Sequence, residues 1–399
     1  MRSGSDISNV LIVETCEDGT VGGSHRLLYD LVKRLDRTRF RSFVLFHQTN
    51  LYVDLLSKSG VPVYCWDDIR RREQAPANPF ERVRRLFAGI RRRIALIRDL
   101  QIDIVHLNNT PTFTIEFWLP ACRLTHTRLV AHMRGLMKSA PDRLDGVRRY
   151  LAGHCDEILS MSAVVSDSAI RVGIPRRRIS VVYDGVDLSE WAPWNEERRD
   201  DARRSLDIPA DKLVVLIPGN LKRWKGQQDA IESFRMLPRE LRLRCRVLLA
   251  GGTANDPEDQ IYAAGLRTLA DTLYTEGGPL VTFLGSCQDM PLLYASADLV
   301  VHCSTDPEPW GMVVLEALAM GRPVIASSLG GPSEMFPQGS EMLVDPRDHR
   351  AFASALEKVL ANDSVRKDLA VNARQHASRF DCRTSTEQIA QVYSRHRDT

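Results

Sequence analysis

The sequence of 399 residues lacks any apolar run close to the roughly 18 residues that span a bilayer. Its first residues lead directly into the short apolar run Val10–Val13, which has neither the length nor the cleavage flank of a signal peptide. The eight cysteines are scattered and form no C-x-x-C pair, which is typical of reduced thiols rather than of a zinc site or a disulfide framework. We therefore expect a cytoplasmic protein.

Several patterns that carry chemistry are also missing from the sequence. It contains no D-x-D pair, which usually holds a divalent ion on a nucleotide-sugar diphosphate, and no close His/Cys cluster. It has no G-x-G-x-x-G fingerprint, no Walker lysine after a strand and no nucleophile elbow, so hydride transfer, nucleoside triphosphate hydrolysis and serine hydrolysis are poorly supported. We expect neither a metal nor another cofactor.

Charge is distributed unevenly along the chain. The net charge is only +3, yet residues 69–98 hold ten arginines against two glutamates. Nucleic-acid binding fits poorly, because residues 201–399 carry 23 basic against 26 acidic side chains and aromatics do not interleave with the arginines. Between Phe80 and Leu100 the apolar residues follow one helical stripe, so the arginines of 82–98 either point to solvent from a packed helix or meet an anionic membrane. The stripe comprises Val83, Leu86, Phe87, Ile90, Ile94 and Ile97.

Short apolar strands alternate with amphipathic helices in both halves of the chain, which predicts an α/β protein with doubly wound parallel sheets. We infer two Rossmann-like domains that face each other across a cleft. The predicted boundaries are 1–190 for an N-terminal acceptor domain, 191–210 for a polar linker, and 211–383 for a C-terminal donor domain. The remaining segment, 384–399, is predicted as a helix that packs back toward the N-terminal domain.

The most informative stretch is residues 306–323, which combine two glutamates with a glycine at a predicted helix start. Glu308 lies in the loop before the helix and Glu316 inside it. The amides of Gly311 and Met312 belong to the first helical turn, where they have no intrahelical acceptor and lie at the positive end of the helix dipole. Such a helix start suits a diphosphate, and the two carboxylates suit vicinal sugar hydroxyls.

Further short motifs accompany this stretch through nearly the whole chain. Most of them are weak signals alone, but their order and spacing make the set specific. They are Val21-Gly22-Gly23-Ser24, Asp103-Ile104-Val105-His106, Val130-Ala131-His132, residues 182–187, residues 218–226, Phe283-Leu284-Gly285, Gly330-Gly331-Pro332-Ser333-Glu334 and Leu343-Val344-Asp345-Pro346.

Together these motifs resemble glycosyltransferase family 4, a group of retaining GT-B enzymes that use nucleotide-activated sugars. The resemblance implies that Glu308 binds donor-sugar hydroxyls near the reacting carbon and that Glu316 holds the nucleotide ribose. It also implies that the amides of Gly311 and Met312 meet the donor sugar and the diphosphate. Lys225 matches the family's lysine on the diphosphate, where its charge would stabilise the leaving group.

The family pattern is broken at one position, because Asn220 stands where an arginine is usual. An amide donates a hydrogen bond but does not neutralise a phosphate. Either Arg223 or Lys222 is available nearby in sequence to supply the missing charge, and both can equally be solvated loop residues.

The N-terminal half contributes three further candidates. His132 matches the family's active-site histidine, and the alternative is a packed histidine at a strand end. Gly22 and Gly23 match the glycine loop that approaches the donor phosphates or the acceptor, and the alternative is a plain tight turn. Two weaker candidates are His106 of the same half, for which the alternative is a structural residue, and Glu334 of the C-terminal half, for which the alternative is a cap of the next helix.

The sequence therefore predicts a metal-independent glycosyltransferase that moves a hexose-type sugar from a nucleoside diphosphate sugar to an acceptor hydroxyl. The resemblance to family 4 implies that the enzyme retains the anomeric configuration. Polysaccharide or glycoconjugate biosynthesis is the expected context, with a glycan, a lipid-linked glycan or a small molecule as acceptor. Asn220 keeps an alternative open, namely a non-catalytic nucleotide-sugar-binding or scaffold subunit of a glycan-assembly complex.

Overall fold

The computed structural model describes residues 7–14, 23–66, 78–109, 115–137, 143–253, 256–273 and 280–395. The chain divides into two compact units. The first unit comprises Met1–Asp184 and Cys382–Thr399, and the second comprises Gly185–Asp381.

The first unit contains a seven-stranded parallel sheet in the order β3-β2-β1-β4-β5-β6-β7. Its central strands are mainly apolar because helices cover both faces of a parallel sheet, and Val10–Val13 are fully buried. The strands are β1 Ser8–Glu14, β2 Phe40–Phe46, β3 Val63–Cys65, β4 Ile104–Asn108, β5 Arg128–Met133, β6 Glu157–Ser160 and β7 Ile179–Val181.

Helices follow most of these strands, as expected for right-handed β-α-β crossovers. Several begin at a side-chain cap; Ser162, for example, accepts a hydrogen bond from the amide of Val165. The helices are α1 Gly23–Arg34, α2 Leu51–Lys58, α3 Pro79–Asp99, α4 Ile115–Thr125, α5 Arg143–Ala152 and α6 Ala163–Arg171, and a 3-10 turn spans Arg176–Arg178.

The second unit repeats this plan with a six-stranded parallel sheet in the order β10-β9-β8-β11-β12-β13. The strands are β8 Leu213–Pro218, β9 Cys245–Ala250, β10 Val281–Gly285, β11 Leu299–His302, β12 Val324–Ser327 and β13 Leu343–Val344. The helices are α7 Glu196–Ser205, α8 Gln227–Arg235, α9 Arg239–Leu243, α10 Pro257–Asp271, α11 Met290–Ser296, α12 Met312–Ala319, α13 His349–Ala361 and α14 Asp363–Ala377, with 3-10 turns at Arg223–Lys225 and Gly331–Met335.

The last helix, α15 Cys382–Ser394, belongs to the first unit. It buries Ile389 and Tyr393 in that unit's core, and Arg128 of β5 donates hydrogen bonds to its carbonyls at Val392 and Tyr393. The predicted pair of doubly wound α/β domains is therefore confirmed as two Rossmann-like parallel sheets.

The segment 191–210 differs from the predicted linker, because it contains α7 and belongs to the second unit. Arg199 of this helix lies 2.5 Å from Asp298, and Arg203 pairs with the same carboxylate. Two of the charged residues that indicated a linker therefore form ion pairs, and these pairs bind α7 to the rest of the second unit.

The arginine-rich helix α3 is packed along only part of its length. Ile97 is buried, whereas Phe80, Val83 and Phe87 are 79%, 50% and 62% exposed. Most of its arginines point to solvent, but Arg93 is buried with its guanidinium over the rings of Phe117 and Trp118. Among the helices that the structure describes, none has the length and apolarity to cross a bilayer.

Candidate active site

In the second unit, the candidate residues gather where the strand order reverses. β8 pairs with β9 on one side and β11 on the other, so the connections from β8 and β11 leave in opposite directions. Ligands of open α/β sheets bind at such switch points, beyond the carboxyl ends of the strands. The loop after β8 carries Lys225, and the loop after β11 carries Glu308.

Glu308 lies at the centre of a buried polar cluster. Its Oε1 accepts a hydrogen bond from Lys225 Nζ at 2.7 Å. Its Oε2 lies 2.6 Å from His302 Nε2 and accepts a hydrogen bond from Ser304 Oγ at 2.8 Å. Side-chain exposure is only 13% for Glu308 and 16% for Lys225, so water screens the pair weakly.

These contacts determine the charge of Glu308. Burial alone would raise the pKa of its carboxyl, but the charge of Lys225 and the hydrogen-bonded His302 lower that pKa well below its usual range. Glu308 is therefore an ionised acceptor at neutral pH. A carboxylate in this state accepts hydrogen bonds from sugar hydroxyls and does not donate a proton.

Backbone contacts between the two loops position Lys225. The amide of Thr305 donates to the carbonyl of Trp224 at 2.8 Å, and Cys303 Sγ donates to the carbonyl of Lys225 at 3.2 Å. Gly226 has a φ of 69°, and a Cβ atom there would lie 1.9 Å from the Cys303 carbonyl oxygen. Only glycine permits this approach, which explains the Lys-Gly pair in the sequence.

The predicted helix start is α12, which begins at Met312 after Gly311 with φ 90° at the N-cap. The first-turn amides, including that of Met312, have no acceptor within the helix. Glu316 lies one turn further along, and its Oε2 accepts a hydrogen bond from Tyr294 Oη at 2.8 Å. Burial raises the pKa of Tyr294 well above its ordinary value, so its phenol remains a donor.

The basic residues near the atypical Asn220 differ in whether they already have an acidic partner. Lys222 Nζ lies 3.5 Å from Asp259 of α10. Arg223 is exposed, and no ion pair joins it to a residue that the structure describes. The carbonyl of Asn220 accepts a hydrogen bond from the Gln227 side chain at 3.0 Å.

In the first unit, His132 and Arg134 belong to a buried network at the carboxyl ends of β1, β4 and β5. Arg134 Nε donates to Asn108 Oδ1 at 3.0 Å, and Asn108 Nδ2 donates to Glu14 Oε2 at 2.7 Å. Arg134 also forms a buried ion pair with Asp184.

His132 itself is fully buried inside this unit. Arg134 Nη2 donates to its Nδ1 at 3.3 Å, so the ring hydrogen is on Nε2, which has no hydrogen-bond partner among the residues that the structure describes. Burial and the neighbouring Arg134 lower the pKa of His132 well below its ordinary value, which keeps the ring neutral. His132 therefore presents a neutral N–H donor.

The other candidates of the first unit have different surroundings. His106 is buried with Nδ1 hydrogen-bonded to Tyr393 of α15, and burial lowers its pKa to about 3, which fits the structural interpretation. Gly23 is the first residue of α1, whereas Gly22 lies outside the described residues. In the second unit, the backbone carbonyl of Glu334 accepts a hydrogen bond from Arg379 at 3.3 Å.

Within the described parts of both units, no group of three or more His, Cys, Asp or Glu side chains is arranged to hold a metal ion. Lys225 lies beside Glu308, and Arg223 belongs to the same loop after β8. Binding without a metal stays a prediction.

Comparison with known proteins identifies the family. A family model described as Glycosyltransferase Family 4 matches residues 21–190, and one described as Glycosyl transferases group 1 matches residues 198–376. A D-inositol 3-phosphate glycosyltransferase of Saccharomonospora viridis is 30% identical over 353 residues, which cover 80% of this chain and 78% of that protein. The chain belongs to glycosyltransferase family 4.

Other relatives of this family 4 chain match over shorter stretches. A D-inositol 3-phosphate glycosyltransferase of Corynebacterium urealyticum is 31% identical over 238 residues, which cover 59% of this chain and 55% of the relative. This alignment thus spans about half of that relative's length. The predictions of family membership and of a glycosyltransferase are confirmed.

Solved structures support the fold of this family 4 chain over nearly its whole length. Anabaena HepE in complex with UDP has a TM-score of 0.80 and 24% identity, and the match covers 97% of this chain and 99% of that one. A glycosyltransferase of Rickettsia africae has a TM-score of 0.80 and 18% identity, with 97% and 98% covered. The predicted GT-B fold is confirmed.

Three residues of the second-unit site were missed by sequence reasoning. His302 and Ser304 bind Glu308, and Tyr294 binds Glu316. His302 ends a strand that the sequence does predict, so a polar residue at the carboxyl end of a central strand was an available signal. Tyr294 lies in α11 and gave no such signal.

Proposed function

We propose that this chain is a retaining hexosyltransferase that uses a nucleoside diphosphate sugar, and that the second unit binds the donor. The observation that supports this most is the convergence of Lys225, Glu308 and the start of α12 at one switch point. It brings a cation and the first-turn amides of a helix, which suit a diphosphate, close to a carboxylate that suits a sugar hydroxyl.

In this proposal each group meets a different part of the donor. Lys225 and the amides of Gly311 and Met312 bind the diphosphate and stabilise the charge that grows on the leaving group. Glu308 accepts hydrogen bonds from hydroxyls of the transferred sugar. Glu316, held by Tyr294, accepts hydrogen bonds from the ribose.

We further propose that Arg223, rather than Lys222, replaces the charge that Asn220 lacks, because Lys222 already has Asp259 as a partner. Asn220 itself remains a candidate hydrogen-bond donor to the phosphate. In the first unit, the Nε2–H of His132 is a candidate donor to a sugar oxygen, and Gly23 with Gly22 is the candidate glycine loop. Binding requires no metal in this proposal.

The comparisons suggest which substrates to try first. The solved HepE structures contain UDP and UDP-glucose, so uridine nucleotides are the first donors to test. The curated relatives are named for D-inositol 3-phosphate, so that compound belongs in an acceptor panel with glycans and lipid-linked glycans. Five of the described cysteines, Cys122, Cys155, Cys245, Cys287 and Cys303, are free thiols, which supports a reducing cytoplasmic location.

A thermal-shift panel of nucleoside diphosphates and nucleotide sugars, with and without EDTA, tests the donor site. Ligand that binds the folded state raises the unfolding midpoint. We expect a shift that EDTA leaves unchanged, followed by nucleoside diphosphate release and a product with the donor's anomeric configuration by NMR. Binding without donor hydrolysis or transfer would favour the scaffold alternative, and the absence of any shift would contradict the proposal.

We propose in addition that the amino-terminal half of α3 contacts an anionic membrane. Phe80, Val83 and Phe87 form an exposed apolar stripe on one helix face, and exposed arginines such as Arg84 and Arg91 flank it. Vesicles containing phosphatidylglycerol should sediment the protein more than phosphatidylcholine vesicles do. The double variant Phe80→Ser/Phe87→Ser should lose this difference, and its retention would contradict the membrane surface.

A further inference from the structure

His302 is the last residue of β11, and its side chain is only 2% exposed. Its Nε2 lies 2.6 Å from Glu308 Oε2, which is the shortest contact of that carboxylate. The proposed contacts with the diphosphate, the sugar and the ribose do not include His302.

The neighbouring strand determines which ring nitrogen carries the hydrogen. The amide of Ser327, at the end of β12, donates to His302 Nδ1 at 3.4 Å. A nitrogen that accepts a hydrogen bond is unprotonated, so the hydrogen of the neutral ring is on Nε2 and points to Glu308. The tautomer is thus set by the backbone of a paired strand.

The residues that bind Glu308 differ in how rigidly the fold holds them. Lys225 is part of a loop and has a flexible side chain, whereas His302 is anchored in the middle of the sheet and Ser304 lies two residues after it. If Lys225 serves the diphosphate, its ammonium is shared between the diphosphate and Oε1 of Glu308. The hydrogen bonds that His302 and Ser304 make to Oε2 involve no group that the diphosphate also binds in this proposal.

We infer that His302 is a positioning residue, which holds Glu308 through Oε2 so that Oε1 is directed to the donor sugar while Lys225 engages the diphosphate. This inference rests on the proposed function of the site. It assigns His302 no direct contact with the substrate. Ser304, two residues after His302, donates a hydrogen bond to the same oxygen of Glu308.

The test separates the sugar from the nucleotide. His302→Leu removes the ring hydrogen bond, whereas His302→Gln places an amide N–H near the position of Nε2. Binding of UDP and of UDP-glucose is measured by calorimetry, together with kcat and KM for UDP-glucose. The matched controls are His349→Leu and His349→Gln, because His349 forms a second histidine–carboxylate pair among the described residues of this unit, at 2.9 Å from Asp229.

We expect His302→Leu to weaken UDP-glucose binding and to lower kcat by about 10- to 100-fold, the effect of losing one hydrogen bond to a charged group. UDP affinity should change by less than about threefold, since Glu308 contacts the sugar and not the nucleotide. His302→Gln should recover most of the loss, and the His349 variants should behave like the wild type. Equal losses for UDP and UDP-glucose, or no recovery with glutamine, would overturn the inference.

Two measurements cover the remaining outcomes. If His302→Leu does not fold, Ser304→Ala in the His302→Gln background must still reduce UDP-glucose binding selectively, and a failure to do so overturns the inference. Nitrogen-15 NMR of the histidine rings reports the tautomer directly, with His302 assigned from the His302→Gln spectrum. A ring protonated on Nδ1 at neutral pH contradicts the inference, whereas a wild type that binds no nucleotide sugar contradicts the proposed function and with it this role.

Discussion

Lys225 and Glu308 are 83 residues apart in sequence, yet Nζ of the lysine lies 2.7 Å from Oε1 of the glutamate. The resemblance to family 4 assigns the lysine to the diphosphate and the glutamate to the sugar of one donor molecule. Their contact therefore joins the two ends of the proposed binding site. Because both side chains are largely buried, the loss of either one leaves the other without its charge partner.

Replacement of Lys225 is the most direct test of this pair. Lys225→Met should lower kcat/KM by about 100- to 1000-fold, the usual loss when one group that stabilises the leaving-group charge is removed. The control is Lys367→Met, which removes an exposed lysine 2.7 Å from Asp363 in the same unit. Initial rates of nucleoside diphosphate release provide the measurement, and a rate within threefold of the wild type would argue against the assignment of Lys225.

Glu316 and Tyr294 provide a test of ribose binding. Glu316→Gln should weaken nucleoside diphosphate binding by about 10- to 100-fold, because a hydrogen bond to a charged acceptor is lost. Tyr294→Phe removes only the phenol that orients the carboxylate, so a loss of about two- to tenfold is expected. Calorimetry with the diphosphate measures both. Glu341→Gln, at an exposed glutamate paired with Lys358, is the control.

Much of this architecture is predictable from the sequence, because buried strands of a parallel sheet are apolar on both faces. The pattern predicts β11 with its observed bounds, Leu299–His302, and places β8 within one residue of its observed start at Leu213. It does not reveal β7 or the two-residue strand β13, which are too short and too exposed at the sheet edges to give a periodic signal.

The site is predictable only as far as local motifs reach. The stretch from Glu308 to Glu316 is recognisable in the sequence, because its glycine and its predicted helix start lie close together along the chain. The contacts of His302 with Glu308 and of Tyr294 with Glu316 depend on which strands and helices become neighbours, and this information is not local. The prediction of a linker at α7 fails for the same reason, because the ion pair of Arg199 with the distant Asp298 is not visible in the local sequence.

The buried pair of Arg134 and Asp184 predicts a large stability effect in the first unit. Their side chains are 3% and 5% exposed, so Arg134→Met removes the cation that is paired with a buried carboxylate. We expect a loss of about 3–5 kcal/mol in the free energy of unfolding, measured by urea denaturation. Arg176→Met, which removes an exposed pair with Asp167, should cost less than about 1 kcal/mol. Similar losses in both variants would contradict this difference in burial.

The titration of Glu308 provides a prediction with a defined sign. Its folded-state pKa lies below the ordinary value of 4.5, so its contribution to stability is present above that value and is lost as the pH falls through the lowered pKa. Among the described residues, the charged and titratable groups near it include Lys225, His302 and Cys303. In Lys225→Met, burial acts with less opposition, and the pKa of Glu308 should rise toward its ordinary value.

Carbon-13 NMR of labelled glutamate carboxyls measures this directly, with the Glu308 signal assigned from Glu308→Gln. The wild-type signal should stay at its ionised position from about pH 8 down to about pH 4.5. A titration of Glu308 within that interval in the wild type would show that Lys225 does not hold the carboxylate in its charged form.

The last prediction concerns the charge that Asn220 does not supply. Arg223→Met should weaken diphosphate binding more than Lys222→Met, because Lys222 lies 3.5 Å from Asp259 whereas Arg223 is exposed. The expected difference is about three- to tenfold at low salt, and it should shrink as the ionic strength rises and screens an exposed charge. Asn220→Arg, which restores the family's usual residue, should strengthen binding and reduce the effect of Arg223→Met. If Lys222→Met has the larger effect, the lysine must leave Asp259 to meet the phosphate, and the assignment of Arg223 is wrong.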